Sequence, residues 1–82
     1  MKRIDLAPNV PAEVRAIERE AAFRILTALH RYAESGEGDV KHLSGELEGM
    51  LRLRVGNYRV LFVETAGTIQ VMRVRDRRDA YR

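Results

Sequence analysis

The stretch that decides the fold is residues 51–62, which read LRLRVGNYRVLF. Apolar and basic residues alternate with a period of two on both sides of Gly56-Asn57. Successive side chains of a strand point to opposite faces, and Gly-Asn accommodates the positive φ angles of a tight turn. The pattern therefore predicts a β-hairpin. A two-residue turn places Arg54 directly opposite Arg59.

This hairpin separates its side chains by charge. One face carries the apolar residues, and the other carries three arginines, Arg52, Arg54 and Arg59. Like charges that oppose each other destabilise a sheet, so stability alone does not favour this arrangement. An anionic partner is the leading explanation. The alternative is that these residues form the solvated face of an antiparallel sheet, where charged residues are ordinary.

The composition narrows the class of protein. A chain of 82 residues fits one small domain, residues 1–82, with a single core. It has no cysteine, and neither of its two histidines lies in a ligand-spacing motif, so we expect no metal and no cofactor. No apolar run approaches the length of a membrane span and no secretory signal is evident. We therefore expect a cytoplasmic protein without membrane contact.

The net charge of +3 comes entirely from the second half of the chain. Residues 1–41 carry seven basic and seven acidic side chains, whereas residues 42–82 carry eight arginines, no lysine and five acids. Arginine binds phosphate and carboxylate through two parallel hydrogen bonds and stays charged when buried. This concentration of arginine favours nucleic acid or another anion as a partner.

The first half of the chain predicts a short strand followed by helix. Residues 2–6 form the strand, with Ile4 and Leu6 pointing inward. Two helices, or one bent helix, follow, with a break near Glu18-Arg19 and a stop at residues 35–39. Apolar residues recur at helical spacing in the second helical segment and form its predicted core stripe: Ala22, Ile25, Leu26, Leu29 and Ala33.

The second half predicts a sheet. Residues 45–49 form a loop before the hairpin, and a tight turn at residues 65–68 leads into a last strand at residues 69–75. Extending the pairing places four residues on the arginine side: Gln70, Met72, Val74 and Asp76. The expected fold is α+β. A short N-terminal strand and a helical pair pack on a small, mainly antiparallel twisted sheet, with a basic groove on its open face.

Two segments together resemble a known family. Residues 47–62 read LEGMLRLRVGNYRVLF, and residues 74–82 read VRDRRDAYR. The Leu-x-Gly, the basic alternating strand, the Gly-Asn-Tyr-Arg turn and the terminal arginine and tyrosine resemble the RelE/ParE superfamily of bacterial type II toxins, in particular its RelE-like mRNA interferase branch. The resemblance implies a RelE-like fold and a toxin that a cognate antitoxin holds inactive.

The resemblance also implies an activity and a set of site residues. The activity is that of a metal-independent endoribonuclease that enters the ribosome and cuts mRNA. The family's catalytic positions fall on five residues of this chain: Arg52, Arg54, Arg59, Arg77 (or its neighbour Arg78) and Tyr81. Three more are expected to contact the substrate: Arg78, Arg75 and Met72. The histidine often found before the C-terminal arginine is Asp76 here.

Cleavage of this kind uses the ribose 2′-hydroxyl as nucleophile, so the site must remove a proton, stabilise the phosphoryl charge and protonate the leaving oxygen. We expect Arg59, with Arg77 or Arg78, to clamp the phosphate. Arg52 and Arg54 would hold the flanking backbone or assist proton transfer. Tyr81 would stack on a base or orient the 2′-hydroxyl. Glu46 and Glu48 are further candidates for the base.

Other interpretations stay open. The chain could be a ParE-like inhibitor of DNA gyrase, or a catalytically weak member that binds the antitoxin only, which Asp76 makes plausible. Arg77 and Arg78 could form a basic tail paired with neighbouring aspartates, and Tyr81 could cover the core. Each functional alternative shares one partner, an antitoxin whose amphipathic C-terminal segment forms a hetero-oligomer with the toxin.

Overall fold

The computed structural model describes residues 1–77 of the chain. It contains a five-stranded sheet and two α-helices, which confirms the predicted α+β class. Neither α-helix of this part of the chain is long and apolar enough to span a membrane. The elements are, in chain order, β1 (Arg3–Leu6), α1 (Val10–Arg15), α2 (Arg19–Ser35), β2 (Val40–His42), a 3₁₀ helix (Gly45–Leu47), β3 (Leu51–Val55), β4 (Tyr58–Glu64) and β5 (Thr68–Asp76).

The strands lie in the order β1-β5-β4-β3-β2. β1 runs parallel to β5, and every other neighbouring pair is antiparallel. The sequence pattern does not predict β2, whose three residues pair with β3, nor the 3₁₀ helix inside the predicted loop. Both helices pack on one face of the sheet, α1 against β5 and α2 against β1 and β3, and leave the other face open.

The predicted hairpin is confirmed in its register. Val55 pairs with Tyr58 and Arg54 pairs with Arg59. Gly56, the first residue of the turn, has a φ of +58°, and no non-glycine residue in the described chain has a positive φ. This is the φ pattern of a type II′ turn, whose twist matches that of the two strands it joins.

The helical segment breaks where the pattern predicts. α1 ends at Arg15 and α2 begins at Arg19. At the other end of α2, Gly36 adopts a left-handed conformation with a φ of +81°, and its N–H donates to the Tyr32 carbonyl at 2.8 Å. A residue with a Cβ pays for this conformation, so glycine ends the helix here.

The core lies between α2 and the sheet. Ile25 and Leu29 are buried in the same cluster as Phe62, which has no solvent exposure, and the Tyr32 ring meets Phe62 edge-on at 5.4 Å. The prediction was wrong for Leu26 and Leu6, which are 40% and 42% exposed. Leu26 lies at the margin of the α2 stripe, and Leu6 lies on an edge strand with no neighbour beyond it.

A β-bulge interrupts the pairing of β4 with β5. Phe62 pairs with Val71, but the preceding residue Leu61 pairs with Arg73. Met72 is therefore an extra residue in β5. Because side chains alternate between faces, one extra residue moves every later side chain of the strand to the opposite face.

The bulge overturns part of the predicted face assignment. Val74 and Asp76, predicted on the open face, instead pair with Val60 and Tyr58 on the helix side. Val74 is buried in the core there. Gln70, which precedes the bulge, pairs with Val63 and lies on the open face as predicted.

Candidate functional site

The open face of the sheet carries five arginines, three predicted and two brought there by the bulge. Cross-strand pairs share a face, so the register sets their arrangement. Arg54 pairs with Arg59, and Arg59 pairs with Arg75, which makes a row across β3, β4 and β5. A second row runs from Arg52 through Leu61 to Arg73. We call the five residues the arginine cluster: Arg52, Arg54, Arg59, Arg73 and Arg75.

Arg59 occupies the centre of the cluster and is nearly buried, with 7% of its surface exposed. Leu61 on the same strand face is 3% exposed although it does not belong to the helix-side core. This burial fits the tendency of arginine stems to cover apolar surface while the guanidinium groups stay at the solvent. Arg59 is therefore held in a restricted position, whereas Arg54 and Arg73 are exposed.

The acidic groups among residues 1–77 compensate little of this charge. Arg52 Nη2 lies 3.4 Å from Asp39 Oδ1, and Arg75 Nη2 lies 3.8 Å from Glu13 Oε2. The other three members of the cluster, Arg54, Arg59 and Arg73, have no acidic partner among residues 1–77. Opposed cations without counter-ions cost free energy, so the surface is suited to an anionic ligand.

Side chains of α1 and the loop before it hold the bulge in place. Beyond Val71, whose carbonyl accepts from the Ala7 N–H at 2.9 Å, β1 no longer supplies partners to β5. The Glu13 Oε1 accepts from the Val74 N–H at 2.8 Å, and Asn9 Nδ2 donates to the Met72 carbonyl at 3.0 Å. The Val74 N–H and the Met72 carbonyl therefore both have hydrogen-bond partners at the bulge.

A separate polar cluster lies on the helix side. Lys2 Nζ donates to Glu64 Oε2 and to the Thr65 carbonyl, and the Tyr32 hydroxyl donates to Glu64 Oε1 at 2.6 Å. These hydrogen bonds lower the pKa of the Glu64 carboxyl. Burial, followed by the hydrogen bond to Glu64, raises the pKa of Tyr32 to about 12. The cluster joins the N-terminus, α2 and β4 and has a structural role.

The structure brings four of the predicted site residues together. Arg52, Arg54, Arg59 and Arg75 lie in the arginine cluster, and Met72 lies beside it at the bulge, 37% exposed. Among the remaining predicted residues, Arg77 follows β5 and is exposed, and its backbone N–H donates to the Asn57 carbonyl at 2.6 Å. Arg78 and Tyr81 lie outside the described residues. Glu46 and Glu48 are exposed, at and just after the 3₁₀ helix.

Sequence reasoning missed Arg73. The signal that could have found it is the spacing of buried residues in β5, since Val71 and Val74 are three positions apart. A regular strand buries residues two positions apart, so a spacing of three indicates a bulge between them.

The family comparison covers nearly the whole chain. The family model for the ParE toxin of the type II toxin–antitoxin system, parDE, matches residues 4–81. No curated protein matches.

Solved structures share the fold at low sequence identity. A chain of the RelB–RelE antitoxin–toxin complex from Methanococcus jannaschii is 23% identical, with a TM-score of 0.77 over 94% of both chains. One from the toxin–antitoxin complex RelBE2 of Mycobacterium tuberculosis is 19% identical, with a TM-score of 0.81 over 93% of this chain and 98% of that one. YafQ from E. coli is 10% identical, with a TM-score of 0.71 over both full lengths. These likenesses show the RelE-like fold.

Proposed function

The chain belongs to the ParE toxin family of type II toxin–antitoxin systems, and on this premise we propose that it is a toxin that cleaves mRNA on the ribosome. The observation that carries the proposal is the row formed by Arg54, Arg59 and Arg75 in register across three strands. A gyrase inhibitor that acts through a protein contact would not need this row. A phosphodiester supplies the negative charge that Arg54 and Arg59 lack among residues 1–77.

The proposed reaction is an internal transfer at phosphorus. The 2′-oxygen bonds to the adjacent phosphorus and loses its proton to a base, while the bond to the 5′-oxygen breaks and that oxygen gains a proton. The products are a 2′,3′-cyclic phosphate and a free 5′-hydroxyl. Arg59 binds the phosphoryl oxygens, and Arg54 and Arg75 flank it. Removing one preorganised donor that meets charge developing in the transition state typically costs about 10²- to 10³-fold in rate.

The remaining roles at the site are proposed from the family positions. Tyr81 orients the 2′-hydroxyl or stacks on a base, and Arg77 or Arg78 completes the phosphate clamp with Arg59. Asp76, which stands where a histidine is common, pairs with Tyr58 on the helix side of the sheet and so does not replace that histidine at the arginine cluster. Arg52 and Arg54 hold the flanking backbone.

The cognate antitoxin is the expected partner. The related RelB–RelE and RelBE2 structures are toxin–antitoxin complexes by name. An acidic amphipathic segment would bind the arginine cluster with the same charge complementarity as RNA and so mask it. We propose a hetero-oligomer in which the antitoxin covers the open face of the sheet.

Inhibition of DNA gyrase is the second candidate function. The match to the ParE family over residues 4–81 favours it, because the resemblance ties that branch to gyrase. A gyrase inhibitor would act without cleaving RNA and would tolerate loss of Arg59. A member that only binds its antitoxin would in addition fail to arrest growth.

The test is primer extension on mRNA in a purified translation system. We expect new breaks in the ribosomal A site with the wild-type protein, a loss of about 10²-fold or more with Arg59→Ala, and a smaller loss with Tyr81→Phe. Arg59→Lys keeps the charge but not the planar fork, so it should restore only part of the activity. Arg31→Gln is the control, because it removes an exposed positive charge from α2.

The alternative outcomes separate the candidates. Intact mRNA together with growth arrest and loss of supercoiling by purified gyrase would move the assignment to gyrase inhibition. Intact mRNA without growth arrest would indicate an antitoxin-binding member. Circular dichroism of each variant shows whether a lost activity reflects the site or the fold.

A further inference from the structure

A cavity of about 340 Å³ lies beside the arginine cluster, where β2 meets the 3₁₀ helix. It is open to solvent and mixes polar and apolar side chains. Its lining residues are Lys41, His42, Leu43, Ser44, Leu47 and Arg52. Only Arg52 belongs to the arginine cluster, so the cavity extends the charged surface toward the far edge of the sheet.

The Arg52 side chain lines this cavity and is only partly satisfied by groups of the described residues. Its Nε is the one buried side-chain polar atom in residues 1–77 without a hydrogen-bond partner. Its single ion pair is the 3.4 Å contact of Nη2 with Asp39, at the long end of the hydrogen-bond range, and Asp39 is 61% exposed. A buried donor without a partner is rare in folded proteins, and the groups of the described chain do not fully satisfy the Arg52 side chain.

Two further groups at the cavity are free to bind an anion. Lys41 pairs with Arg52 across β2 and β3, so both side chains leave the same face of the sheet. Lys41 is exposed and has no ion pair within the described part of the chain. Ser44 is the N-cap of the 3₁₀ helix, yet its hydroxyl makes no capping hydrogen bond.

We propose that Lys41, Ser44 and Arg52 form a phosphate subsite that holds the RNA backbone next to the phosphate bound at Arg59. The subsite deepens the proposed function and rests on it for the identity of the ligand. Arg52 and Arg59 are diagonal neighbours across β3 and β4. The Cα atoms of such neighbours lie about 7–8 Å apart. The two bound phosphates would therefore belong to neighbouring positions of one RNA strand. Two cations and a hydroxyl donor suit the several oxygens of a phosphodiester.

The first experiment tests the subsite without requiring cleavage. Inorganic phosphate is titrated into the isotope-labelled protein, and backbone amide resonances are followed by NMR. We expect the largest shifts at Ser44 and Arg52, with affinity reduced at least threefold in Lys41→Gln and unchanged in Arg31→Gln. Shifts confined to the row of Arg54, Arg59 and Arg75, or equal affinities in wild type and Lys41→Gln, would overturn the subsite whatever the protein's activity.

The second experiment ties the subsite to RNA. Single-turnover cleavage on programmed ribosomes is measured against toxin concentration at several salt concentrations. We expect Lys41→Gln to raise the half-saturating concentration several-fold, with most of the effect there rather than on the maximal rate. The slope of log affinity against log salt should fall by about 0.7, as for the loss of one contact to a single-stranded phosphate.

The possible results distinguish failure of the RNA subsite from failure of the proposed function. A Lys41→Gln effect that matches that of Arg31→Gln would overturn the RNA subsite and leave the proposed function standing. If the wild-type protein cuts no mRNA, the binding of an acidic peptide is measured in its place. Weaker peptide binding by Lys41→Gln would then show that the ligand is an acidic peptide and that the proposal of RNA is wrong. Ser44→Ala, which changes no charge, should reproduce part of the affinity loss without the change in salt slope.

Discussion

The Glu13 carboxylate in α1 accepts a hydrogen bond from the Val74 backbone N–H in β5, at 2.8 Å. The same carboxylate also lies 3.8 Å from the Arg75 guanidinium and accepts from Asn9 at 2.9 Å. A helix side chain thus replaces the strand neighbour that β5 lacks beyond Val71. The contact lies next to the bulge that places Arg73 and Arg75 on the open face.

Removing the Glu13 carboxylate should destabilise the protein. Glu13→Ala leaves the N–H of the buried residue Val74 without a partner, which should lower the free energy of unfolding by about 1–3 kcal/mol. Each kcal/mol lost should lower Tm by about 4–8 °C. Glu13→Gln keeps an oxygen acceptor and should recover most of the loss. Urea unfolding measures both. The control is Glu20→Ala, since Glu20 forms an exposed pair with Arg24 and should contribute less than about 0.5 kcal/mol.

The arginine cluster should oppose stability while it supports activity. Arg54 faces Arg59 across the hairpin, so Arg54→Gln should raise the free energy of unfolding by about 0.2–1 kcal/mol while it reduces mRNA cleavage. The gain should shrink in high salt, where the repulsion is screened. Chemical denaturation at low and high salt gives the comparison, and Arg31→Gln should change neither quantity. A less stable Arg54→Gln protein would show that the cluster has a structural role instead.

We expect the protein to lose stability in acid as the Glu64 carboxylate becomes protonated. Its pKa is lowered in the folded protein by the hydrogen bonds from Lys2 and Tyr32. Its contribution is therefore fully present above the ordinary carboxyl pKa and is lost as the pH falls through the lowered value. Unfolding free energies measured between pH 7 and about pH 3 should decline less steeply in Glu64→Gln than in the wild type. Parallel curves would contradict this linkage.

We expect the protein to lose stability in alkali as the Tyr32 hydroxyl ionises. Its pKa is raised from 10.0 to about 12, so its contribution is complete below pH 10 and is lost as the pH rises from 10 to about 12. Tyr32→Phe removes a hydrogen bond to a charged group, at a cost of about 1.5–3 kcal/mol at pH 7, and should flatten the alkaline limb. Tyrosinate absorbance followed through the same pH range reports the ionisation directly, and an unshifted titration would count against the contact.

The stability of the protein should depend on glycine at the first position of the hairpin turn. Gly56 has a φ of +58°, so Gly56→Ala should cost about 1–2 kcal/mol in unfolding free energy although no atom lies near the added methyl group. Gly67, in the turn between β4 and β5, has equally open surroundings and no positive φ. Gly67→Ala is the matched control and should be nearly neutral in thermal denaturation. Equal effects at the two positions would argue against strain at Gly56.

Part of the candidate site was accessible from the sequence because its signals are local. The alternation around Gly56-Asn57 predicts that Arg52, Arg54 and Arg59 share a face, and the register confirms it. Arg75 was predicted as a substrate contact, but the simple alternation of β5 would have placed it on the opposite face. Arg73 was missed because the extra residue at Met72 moves the side chains of Arg73 and Arg75 to the open face.

The sequence by itself determined the hairpin, the break between the helices and the α+β class, because turn chemistry and hydrophobic periodicity act between residues close in the chain. Only the tertiary structure decided the bulge, the row through Arg59 and Arg75, and the pairing of Lys41 with Arg52. These features depend on hydrogen bonds between distant segments, such as Glu13 with Val74, 61 positions apart. A local pattern does not encode such a contact, so the composition of the arginine cluster follows from packing.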